Sequence, residues 1–78
     1  MEKEIIVVSA ASEILKLKKD FPEELDDDLI RKYLERSSFK NEKEKLNAIK
    51  AANYTLKIKS KEALTDKKII QKVLETLK

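Results

Sequence analysis

The chain runs for 78 residues without a glycine. Average usage is roughly 7%, so the omission is a strong constraint. Glycine supplies the positive-φ positions of tight hairpin turns. A barrel or sandwich assembled from many such turns is therefore a poor match. Helices joined by polar turns tolerate the omission, because asparagine or an ordinary residue can close a helix. Lysine, glutamate, leucine and alanine, all good helix formers, dominate the composition. The expectation is an all-α fold, a small four-helix domain spanning residues 1–78. A chain of this size buries only about 60–65% of the surface its unfolded form exposes. With no cysteine, disulfides and thiolate metal sites cannot reinforce it. Dense aliphatic packing, helix propensity or a partner subunit must do so.

The chain also repeats itself. "AASEILKLK" at Ala10–Lys18 returns as "AANYTLKIK" at Ala51–Lys59, an offset of 41. "LIRKYLER" at Leu29–Arg36 returns as "IIQKVLET" at Ile69–Thr76, an offset of 40. The blocks keep their order, and the offset changes only where loops accept insertions. The natural reading is two helical hairpins, residues 3–37 and 44–77, related by a pseudo-twofold axis. Two copies are fewer than an open solenoid normally needs.

Four segments follow from the apolar spacing. In the first, from about Lys3 to Lys19, Ile5, Val8, Ser12 and Leu15 form one stripe, widened by Val7, Ala11 and Ile14. Pro22 ends it and biases Phe21 away from the α region. The second runs from about Asp26 to Arg36 on Leu29, Ile30, Tyr33 and Leu34. Three aspartates in its first turn suit the helix dipole, and Asp27–Arg31 and Asp28–Lys32 have i,i+4 spacing. Asn41 and Glu44 have capping-box spacing ahead of the third segment, Glu42 towards Lys59. That segment carries two stripes: Leu46, Ile49, Ala52 and Leu56, and Ala51, Tyr54 and Ile58. Thr65 is the expected cap of the fourth. Ile5–Val8 and Tyr54–Ile58 also read as short strands, so periodicity alone leaves them open. Helix is favoured because no glycine offers a hairpin.

Chemistry is limited by what is missing. There is no histidine and no cysteine, so a nucleophile lacks its usual base and zinc would find only carboxylates. A phosphate-cradling loop lacks its glycines. Asp26–Asp28 reads as a solvated helix-capping patch rather than a Mg²⁺ or Ca²⁺ site. No catalytic, cofactor or metal residue is assigned, and the chain is expected not to be an enzyme. No apolar run reaches membrane length, and the N-terminus shows no signal-peptide pattern, so a cytoplasmic location is the expectation.

Charge divides the chain. Residues 1–39 carry a net charge of −3 and residues 40–78 a net charge of +6. Five carboxylates fall within Glu23–Asp28, whereas Lys40–Lys61 holds seven lysines against two glutamates. Two functional readings follow. The leading one is a protein-binding or regulatory domain, with a protein partner or a second copy docking on surplus apolar surface at Ile5, Ile6, Val7 and Val8. The alternative is a basic nucleic-acid binder. In it the second and third helices would pair across "SSFK", Lys43, Lys50 and Lys57 would contact phosphates, and Asn47 would read an adenine edge.

Overall fold

Every segment forms the helix that its spacing predicts. The computed structural model describes residues 2–77, in which four helices follow one another: α1 (Glu2–Asp20), α2 (Asp26–Arg36), α3 (Glu42–Lys61) and α4 (Asp66–Leu77). Ile5–Val8 and Tyr54–Ile58 lie inside α1 and α3, so the strand option falls at both places. Among the described residues no backbone position has a positive φ, which is how the fold dispenses with glycine.

The helix ends use polar side chains. Asn41 caps α3, its side chain accepting a 2.9 Å hydrogen bond from the Glu44 backbone N–H. Glu44 reaches back to the N–H of Lys40, one residue earlier than the expected box requires. Thr65 caps α4 through a longer bond, 3.4 Å from the Lys68 N–H. At α2 the N-cap is Leu25, whose side chain makes no cap bond, leaving Asp26–Asp28 to complement the dipole. The expected i,i+4 pairs in α2 are replaced: Arg31 meets Asp28 at i,i+3, and Lys32 reaches out of the helix to Glu24.

The long helices α1 and α3 make the most extensive contact in the molecule. Ala10, Ala11, Ala48, Ala51 and Ala52 are all fully buried, and such small side chains let two backbones approach closely. Each short helix rests against both long ones, and α2 does not touch α4 among the described residues. The core adds Ile14, Leu17, Leu29, Ile69 and Val73, each excluded from solvent and each worth about 1.5–3 kcal/mol in transfer terms.

Burial shifts two expected stripes. In α1 the inward face is Val7, Ala10, Ala11, Ile14 and Leu17; Ile5 is 69% exposed and Ser12 lies outside. In α3, Leu46 is 54% exposed, while Ala48 and Thr55 turn inward. Each long helix meets the other three helices, and its inward face combines alanines with larger residues, Ile14 and Leu17 on α1, Leu56 and Ile58 on α3. Thr55 satisfies its buried hydroxyl by donating to the Ala51 carbonyl at 2.6 Å.

The two halves match in more than sequence. At the offset of 41, buried Val7, Ala10, Ala11, Ile14, Leu15 and Leu17 correspond to buried Ala48, Ala51, Ala52, Thr55, Leu56 and Ile58. Exposed Ile5 corresponds to exposed Leu46. The closing bond of α1, Phe21 N–H to Leu17 C=O, recurs as Glu62 N–H to Ile58 C=O, both 2.8 Å. The ion pair Lys18–Asp26 recurs as Lys59–Asp66. Lys32 and Lys72, 40 residues apart, each hold a glutamate of the preceding connection, Glu24 and Glu62, although those two glutamates are not aligned in sequence. We propose that these correspondences are the remains of a duplicated hairpin.

Candidate functional site

A helix buried along two stripes keeps only a narrow outer face. On α3 that face is lined by Lys43, Leu46, Lys50, Asn53, Lys57 and Lys61, all exposed; at 3.6 residues per turn they fall within about a quarter of the circumference. Because α4 packs alongside, part of this face becomes the wall of a groove. Its volume is about 620 Å³, and Lys50, Lys57 and Lys61 rise along it. Tyr54, Ile58 and Leu77 supply the apolar lining. The Tyr54 hydroxyl accepts a 3.2 Å hydrogen bond from Thr76, tying α3 to α4 at one edge. Lys72 donates to both Glu62 carboxylate oxygens, at 2.8 and 2.7 Å. That hydrogen bonding holds the Lys72 ammonium above its ordinary pKa, so it remains charged. Lys50, Lys57 and Lys61 have no carboxylate within 4.0 Å among the described residues.

The two halves provide an internal control. Stepping back 41 residues, Lys50, Tyr54 and Lys61 correspond to Ser9, Glu13 and Asp20. Glu62 corresponds to Phe21, over whose ring the Lys32 ammonium lies, 5.0 Å from the centroid. The buried positions agree between the halves, but these surface positions do not. Lys57 has a counterpart in Lys16, whereas Lys50, Tyr54 and Lys61 are particular to the second hairpin.

Lys50 and Lys57, named from the sequence, thus stand together at the groove. Asn47 is half-buried and lines a separate cavity of about 210 Å³ with Lys3, Val7 and Lys50, below the outer face rather than on it. Lys43 is exposed at the start of α3, away from the groove. The run Ile5–Val8 does not present one surface. Val7 is 1% exposed and belongs to the core, because consecutive helical residues point in successive directions about 100° apart. Ile6 turns towards Tyr33 and Phe39, while Ile5 and Val8 join Leu74 in a shallow, largely apolar hollow. Lys61, Tyr54 and Leu77 were missed as site residues. Lys61 breaks the seven-residue lysine spacing but lies one turn beyond Lys57 on the same face, whereas Leu77 could be added only by knowing how α4 packs.

At the opposite pole of charge, Glu24, Asp26 and Asp28 are each engaged by a cation, Lys32, Lys18 and Arg31 respectively. Glu23 and Asp27 have no such partner among the described residues, and both are exposed. Between them Leu25 stands 72% exposed. Among the described residues no group of three or more carboxylates is arranged to hold a metal ion, and no helix is long and apolar enough to cross a membrane. No protein-family model matches the chain, and no curated protein or solved structure matches it at a significant level.

Proposed function

We propose that the chain is a non-enzymatic protein-binding domain whose α3–α4 groove takes an acidic segment of its partner. The observation that carries this reading is the groove itself: three lysines with no carboxylate partner among the described residues, above an apolar lining of Tyr54, Ile58 and Leu77. Surface charge steers a partner and selects its sign. An apolar floor supplies the burial that lysines alone do not. The test is a titration of the isotope-labelled protein with a short peptide of glutamates around one leucine. Backbone resonances of α3 and α4 should move, and the double substitution Lys57→Glu/Lys61→Glu should abolish the response. Shifts confined to α1 and α2, or none at all, would end this reading.

A second reading rests on a different feature, the continuity of the lysine stripe beyond the groove to Lys43. Lys43 and Lys57 lie about 21 Å apart along the helix, from the rise per residue, a span suited to several phosphates of one strand. Duplex binding at low salt that falls steeply as salt is added would support it. The triple substitution Lys43→Glu/Lys50→Glu/Lys57→Glu should then remove the binding. The half-buried position of Asn47 and the absence of arginine from the stripe favour the protein partner.

A further inference from the structure

We infer that the occupant of the groove is the acidic turn of a second copy of this chain. The inference rests on the protein-binding reading above and gives it a partner. Glu23 and Asp27 flank Leu25 at equal distance in sequence, and all three are exposed. The turn therefore offers one apolar anchor between two negative charges that have no ion-pair partner among the described residues. The groove offers the complement, an apolar lining beneath three lysines likewise without a carboxylate among the described residues.

None of residues 21–28 lines the groove of its own chain, so the contact is between molecules. The remaining acids, Asp26, Glu24 and Asp28, face Lys18, Lys32 and Arg31 of the same chain, which leaves Glu23 and Asp27 as the charges to be met by a partner. The surfaces brought together are different, which makes the contact heterologous: each copy keeps one free turn and one free groove. Growth into short chains or a closed ring follows, rather than a dimer that stops at two.

Complementation tests this directly. One variant loses the groove, Lys57→Glu/Lys61→Glu; the other loses the turn, Leu25→Lys/Asp27→Lys. All four positions are exposed, and circular dichroism verifies that each variant keeps its helices. In sedimentation equilibrium at low salt, the wild-type mass should rise with concentration beyond that of a dimer. Each variant alone should stay monomeric. Their mixture should stop at a one-to-one pair, because only one intact turn and one intact groove remain. Raising the salt to about 0.5 M should weaken wild-type association by roughly tenfold, as expected for a few surface charge pairs. A wild type that is monomeric into the high micromolar range overturns the inference. So does a variant that associates as the wild type does, or a mixture that forms no pair. The glutamate–leucine peptide separates the two claims. If it binds the groove while the chain stays monomeric, the second-copy inference falls alone; if it does not bind, both fall.

Discussion

Tyr33 illustrates how one residue is held by its surroundings. It is 4% exposed, and its ring meets Phe39 edge-on with centroids 6.3 Å apart. Burial pushes the phenol pKa up; Ser37 partly opposes this, and the charge of Glu13 adds to it. The folded state thus holds this proton more tightly than the unfolded chain. The associated stability is complete below the ordinary phenol value of about 10 and declines as pH rises through the higher folded value. In a Tyr54→Phe variant, phenolate absorbance should report Tyr33 ionising later in the native protein than in urea. Coincident curves would show that the ring is not desolvated. At this scale the sequence was a partial guide. Asn41 announced its cap through spacing alone, whereas the partners of Asp26 and Lys32 depended on where α1 and the turn at Glu24 came to rest.

Between elements, the alanines decide. Ala10, Ala11, Ala51 and Ala52 are fully buried on α1 and α3, whose seam is the most extensive in the molecule. Ala51→Leu should therefore cost about 1–3 kcal/mol, the usual penalty for forcing extra volume into a filled site. Urea denaturation would measure it; an unchanged midpoint would mean that the seam has room. Helix number, order and boundaries were legible because periodicity, Pro22 and the caps all act locally. The inward faces of α1 and α3 were less so. Heptad-like spacing selected Ile5 and Leu46, but these positions fall off the inward faces, which take in Ala10 and Leu17 on α1 and Ala48 and Thr55 on α3. The groove was legible only in half: Lys50 and Lys57 follow from spacing, while Tyr54 and Leu77 join them through packing against α4.

The whole molecule is a slab. Its Cα atoms extend 31 × 25 × 14 Å with a radius of gyration of 11.4 Å, close to the roughly 11.5 Å expected for a compact chain of this length. One continuous cluster draws on all four helices. Among the described residues the backbones of the short helices do not approach one another closely, so each packs chiefly on α1 and α3. Unfolding should accordingly be a single transition, with helix content and tyrosine fluorescence lost together. Separate transitions would show that one hairpin survives the other.

The ordinary backbone has a wider consequence. With no described residue in the left-handed region, no loop position demands a particular amino acid for conformational reasons. Loop positions whose side chains neither cap a helix nor pair a charge, such as exposed Ala63, should accept replacement freely in a mutational library, whereas Glu62, Leu64 and Thr65 should be constrained by their side chains alone. A scaffold of this kind can exchange its surface vocabulary freely while its framework stays put.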